Sequence, residues 1–127
     1  MFHMKFSRIR NATRNCVLCE RCGLADGLWT RTRGLMGRAQ LPLGEGLLLV
    51  PCSSIHMFHM KFALDVIFLT SDFIVTDFVE GIAPGKTYVA KAHHGKARAA
   101  LEVPAGVIAQ SETQRGDVLQ SEEITET

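Results

Sequence analysis

PCSSIHMFHMKFALDVIFL, residues 51–69, decides how this chain is read. The stretch holds enough apolar residues for two buried strands, one over residues 55–60 and one over 65–70. It interrupts them with a Cys, two His and a single Asp. Asp65 stands between Leu64 and Val66, at the head of the run VIFL. A carboxylate at the mouth of a buried strand is costly unless something pairs with it. Asp65 is therefore expected to be buried and to accept hydrogen bonds from an Arg or from backbone N–H groups.

Upstream, GLLLVP (46–51) reads as another buried strand, preceded by a turn at Pro42 and Gly44 and ended by Pro51. Before it, Asp26 offers an N-cap, and Leu28, Thr32, Leu35 and Met36 fall at helical spacing. That pattern predicts a helix closed by Gly37. Residues 13–18 read as a short strand. Downstream, Ser71 and Asp72 predict a hairpin turn into a strand over 73–79. Pro84 and Gly85 break the chain, strands follow at 88–89 and 98–103, and Pro104 and Gly106 end the latter. A short helical turn and Arg115-Gly116-Asp117 then lead to a last strand near Val118 and Leu119. Many short strands with one firm helix predict a mainly β (α+β) chain, a compact single-domain β barrel or sandwich with one or two short helices. The hexapeptide MFHMKF occurs at 1–6 and again at 57–62, but its flanks do not match, so two strands sharing a pattern are expected rather than a duplication.

At 127 residues the chain fits one domain, read as an N-terminal arm (1–10), a core (11–120) and a frayed tail (121–127). Hydrophobic content of 46% and charged content of 21% exclude wholesale disorder. The longest apolar runs fall far short of the roughly 20 residues of a membrane span. The start MFHMKFSRIR lacks the apolar region of a secretory leader. A cytoplasmic protein with reduced cysteines is expected. Residues 1–38 carry Lys5 and seven Arg against Glu20 and Asp26. No aromatic residues alternate with these Arg as stacking platforms would, so a solvated surface is expected and not a nucleic-acid interface.

Four blocks, RTRGLMGR (31–38), GEGLLLVPCSSIHMFHMKFALDVIFL (44–69), LEVPAG (101–106) and RGD (115–117), stand in an order and spacing that resemble the domain-of-unknown-function 192 family. The resemblance covers about residues 11–119. It implies a compact, mostly β single domain and brings no established reaction. Its motif positions fall here on Arg33, Gly34, Leu35, Met36 and Arg38, then on Cys52, Ile55, His56, Met60, Lys61 and Asp65. Glu102, Pro104, Ala105, Gly106, Gly116 and Asp117 complete them.

The strongest candidate site is a polar cleft built from Arg33, Arg38, His56, Asp65 and Glu102. Guanidinium forks suit carboxylate or phosphate, and His exchanges a proton near neutrality. The expected function is non-catalytic binding of a small anionic ligand or a protein segment, with no cofactor. On a helix, Arg33 and Arg38 lie about 140° apart; Arg33 is expected to brace the fold and Arg38 to face the cleft near His56. One alternative is a small hydrolase-type enzyme using Asp65 or Glu102 with His56 as acid and base. Another is a metal or iron–sulfur protein through Cys16, Cys19, Cys22 and Cys52, although a convincing fourth ligand is lacking and no metal is expected. In an extended strand His56, Phe58 and Met60 share one face and His59 takes the other, which opposes a His-based site. No Gly-x-Ser-x-Gly elbow, phosphate loop or dinucleotide motif is present.

Overall fold

The valine-, isoleucine- and leucine-rich runs become strands. The structure, a computed structural model, describes residues 4–27 and 34–124. Within them β1 (Phe6–Asn11), β2 (Cys16–Ala25), β3 (Glu45–Leu49), β4 (Ser54–His56), β5 (Leu64–Leu69), β6 (Val75–Ile82), β7 (Thr87–Val89) and β8 (Ala99–Pro104) are followed by one short helix, α1 (Val107–Ser111), and β9 (Leu119–Ile124). Seven strands form a sheet in the order β6-β5-β8-β3-β2-β1-β9, and β4 and β7 pair separately as a ribbon. All neighbours are antiparallel except β2 and β3. A parallel pair needs a long crossover, supplied by the segment between Ala25 and Glu45.

The chain is thus mainly β, as expected, but its sheet is not a closed barrel. The edge strands approach at one end only, through a bridge between Ile74 and Val118, where Val75 N–H donates to the Asp117 carbonyl at 2.8 Å. Strand periodicity divides the large sheet into two buried faces. On β8, Ala99, Leu101 and Val103 join a core that also takes Ile9, Leu48, Ile67, Leu119 and, from α1, Ile108. Ala100 points the other way and joins Leu47, Leu49, Val66 and Phe68, a second core covered by Ile55 and Met57 and by Leu35 and Leu41 of the crossover. Every residue of β5 is buried, which is why VIFL carries no alternation.

The hairpin turn falls at Ser71 and Asp72, held by the Thr70 hydroxyl, which accepts from Asp72 N–H (3.3 Å) and Ile74 N–H (3.2 Å). Three expectations are corrected. The helix over 26–37 does not extend through residues 34–37, which form turns with Gly34 and Gly37 at φ 48° and 79°; Leu28, Thr32 and Arg33 lie outside the described residues. The N-terminal arm is a strand from Phe6, and residues 119–124 pair with it in register instead of fraying. LQSEEI hides this because it forms an edge strand with mostly exposed side chains. The second MFHMKF leaves the strand after His56: Met57 is buried, His59 has φ 62°, and Met60 N–H closes a turn on the Met57 carbonyl. In the first copy Phe6 begins β1, whereas Phe62, its counterpart in the second, lies outside any strand. Among the described residues no helix is long and apolar enough to cross a membrane.

Candidate functional site

Asp65 is 1% exposed, and its carboxylate accepts three backbone N–H groups, from Gly81 (2.8 Å), Gly106 (3.0 Å) and Ile108 (2.9 Å). Gly81 and Gly106 both sit at positive φ, 57° and 103°, a backbone conformation glycine adopts without a steric penalty. The bonds from Gly106 and Ile108 tie the start of α1 to β5. Asp65 therefore braces the fold through backbone donors, and no Arg among the described residues pairs with it.

Glu102 lies on the opposite face of the same sheet. The β5–β8 register sets Glu102 against Val66 and Asp65 against Val103, so alternation sends the two carboxyl groups to different sides. The sheet therefore stands between Asp65 and Glu102, and of the two only Glu102 lines a cleft with His56. Arg38, expected at the cleft, instead pairs with Glu45 at 3.7 Å on the surface. Arg33 lies outside the described residues.

Between the second face and the β4–β7 ribbon opens a cleft of about 540 Å³, and it contains His56 and Glu102 of the expected set. Leu35, Leu49, Ile55 and Met60 give it apolar walls. Glu102 is 6% exposed, with Leu47 and Val66 as its cross-strand neighbours. Its carboxyl makes no hydrogen bond or ion pair with the described residues, and burial pushes it up to about 7. Three basic residues among those described line the same cleft: His56, Lys96 and Arg98. Lys96 and Arg98 flank the buried Ala97, so the period of two places both on its solvent side. Neither side chain has a partner among the described residues. His56 stacks on Phe58 at 5.0 Å between ring centroids, and its Nδ1 accepts from Phe58 N–H at 3.3 Å, leaving Nε2 as the donor.

The four cysteines do not assemble. Cys19 and Cys22 are buried in the first core, Cys16 packs at its margin, and Cys52 packs against the second core with its Sγ 3.0 Å from the Ser54 carbonyl. A four-thiolate site is contradicted, since its members belong to opposite faces of the sheet. Among the described residues no three His, Cys, Asp or Glu side chains are grouped to hold a metal ion. The Cys22 thiol is pushed up by its hydrogen bond with Cys19 and by burial.

Two further buried carboxylates are structural. For Asp77 burial opposes ionisation, but Lys91 N–H (2.8 Å), the Tyr88 hydroxyl (2.7 Å), Phe78 N–H and the Arg115 guanidinium (3.2 Å) together hold it below the usual range. Asp117 is likewise held low against burial by Arg14 (3.0 Å), Asn11 (2.9 Å) and Gln114 N–H (2.9 Å). Lys96 and Arg98 were missed as site residues. The available signal was the alternation Lys-Ala-Arg just before the buried strand AALEV.

The comparisons agree with this architecture. The family model of domain of unknown function 192 (DUF192), described as "Uncharacterized ACR", matches residues 9–121. A UPF0127 protein of Thermococcus sibiricus is 35% identical over 112 residues, 84% of this chain and 70% of that protein. A candidate transcription regulator from Sinorhizobium meliloti 1021 superposes with a TM-score of 0.77 at 22% identity, covering 94% of this chain and 95% of that one. A protein of unknown function from Novosphingobium aromaticivorans gives 0.76 at 22% identity, covering 92% and 84%. At that identity the two structures show a shared fold alone.

Proposed function

The chain belongs to the DUF192 family, and we propose that it is a binding protein that holds a small anionic molecule in the cleft beneath the β4–β7 ribbon. The observation that carries this is the set of three basic side chains, His56, Lys96 and Arg98, lining one concave site, two of them without partners among the described residues. Unpaired cations beside apolar walls attract an anion more strongly than the same charges spread over an open surface, because low-dielectric walls focus their field. The volume of about 540 Å³ suits a small molecule, within the roughly 300–1,000 Å³ of such sites.

A thermal-shift titration with phosphate, citrate, acetate and butyrate tests the reading. A ligand at 100 times its Kd should stabilise the native state by about 2.7 kcal/mol. Lys96→Ala with Arg98→Ala should remove that shift and leave the melting temperature of the free protein nearly unchanged, since both side chains are exposed. If no anion raises the melting temperature of the wild type, or the double variant responds fully, the reading is wrong.

A further inference from the structure

The cleft holds two unlike sets of charged groups. Lys96, Arg98 and His56 are solvent-exposed, whereas Glu102 is buried between the apolar side chains of β3 and β5 and has no partner among the described residues. A buried carboxyl left without a hydrogen bond is uncommon in native proteins, and each such group calls for an explanation. The described residues do not supply one here. Leu47 and Val66 face Glu102 from the neighbouring strands, and among the described residues the ionisable side chains lining the cleft from other segments are His56 and Cys52 near β4 and Lys96 and Arg98 before β8.

A simple anion satisfies only the basic groups, and it brings a second negative charge toward Glu102 in a site of reduced dielectric, which disfavours ionisation of both. A simple cation satisfies Glu102 but meets Lys96 and Arg98. A molecule carrying both charges satisfies both sets of groups. Resting on the anion-binding reading above, we propose that the ligand is a small zwitterion, with a protonated amine seated on Glu102 and an acidic head, carboxylate or phosphate, held by Lys96 and Arg98. The amine donates a charge-assisted hydrogen bond to Glu102, a bond roughly twice as strong as a neutral one.

Proton exchange distinguishes this ligand from a plain anion. An ammonium group beside Glu102 favours its ionised form, so binding near pH 7 releases protons; a plain anion disfavours that form, so its binding takes protons up. Calorimetry in two buffers of different ionisation enthalpy, with matched pairs, reads both quantities. The pairs are β-alanine against propionate, 4-aminobutyrate against butyrate, and phosphoethanolamine against ethyl phosphate. Their carboxylate and phosphate members separate the two kinds of acidic head. In at least one pair the amine-bearing member should bind at least about tenfold more tightly and release protons. Glu102→Gln should still bind the plain anion but no longer distinguish the members. Equal binding within every pair, or proton uptake with the amine, overturns this inference and leaves anion binding standing. Absence of binding by all members and by the simple anions overturns both. Should the Gln variant fail to fold, the affinities and proton exchange of the wild type decide alone.

Discussion

Replacing Glu102 by Gln gives the sharpest test of how the site is built. In the native state the carboxyl is enclosed by Leu47, Val66 and the cleft walls, with no donor among the described residues to stabilise its charge. Burial raises it from the ordinary 4.5 to about 7. The unfolded chain therefore releases this proton at lower pH than the native state does, so stability falls as pH rises from about 4.5 to about 7 and levels off above that window. At about 1.4 kcal/mol per tenfold change in proton affinity, the full loss comes to about 3 kcal/mol. Gln has nearly the same shape and never ionises. The variant should match the wild type near pH 5 and be more stable by up to about 3 kcal/mol at pH 8. Urea denaturation followed by circular dichroism at pH 5, 6, 7 and 8 measures both proteins. Subtraction cancels the histidines and the other carboxylates, which the two share. A difference that stays constant from pH 5 to pH 8 would refute the reasoning, because it would mean Glu102 is solvated or paired in the native protein.

Three other outcomes follow from buried polar and close-packed positions. Asp65→Ala leaves three backbone N–H groups unsatisfied and should cost about 3–5 kcal/mol; a loss below about 1 kcal/mol in urea denaturation contradicts its bracing role. Gly46→Ala would place a Cβ 2.7 Å from the Glu102 carbonyl oxygen and 2.9 Å from the Cys19 Sγ. The melting temperature should fall by the equivalent of about 1–3 kcal/mol, and an unchanged value would show that β3 and β8 separate easily. Asp77, held low by its donors, contributes stability above the usual carboxylate value near 3.8 that is lost as pH falls below it. Acid unfolding of Asp77→Asn should therefore be shallower in that range, and an identical acid limb would argue against the Tyr88, Lys91 and Arg115 contacts.

Much of the fold was legible because it rests on local chemistry. LLLV and VIFL could only be buried strands, the polar pair Ser71-Asp72 turned the chain between β5 and β6, and Pro104 with Gly106 ended β8. Asp65 was readable as a buried carboxylate that needs donors, since its sequence neighbours forbid solvation. The missed elements lack a local signal. β9 is polar and exposed, and its pairing with β1 spans more than a hundred residues. Thr76 and Asp77 are polar neighbours on opposite faces of β6, yet both are buried: Asp77 accepts from Tyr88 and Lys91, and Thr76 from His94 N–H.

The candidate site shows the same division. The sequence by itself determined that Asp65, Glu102 and His56 would have to be accommodated on an apolar β scaffold. It could not determine which of them meet. Side chains in a strand alternate, so a register shift of one residue moves a side chain to the other face. Only the pairing of β8 with β5 and β3 sent Glu102 into the cleft and Asp65 toward α1. Lys96 and Arg98, distant from His56 in the chain, reach the same cleft because their segment runs beside Cys52, whose N–H donates to the Arg98 carbonyl at 3.0 Å. Local patterning selects strands and their buried residues; long-range backbone pairing decides which functional groups share a face.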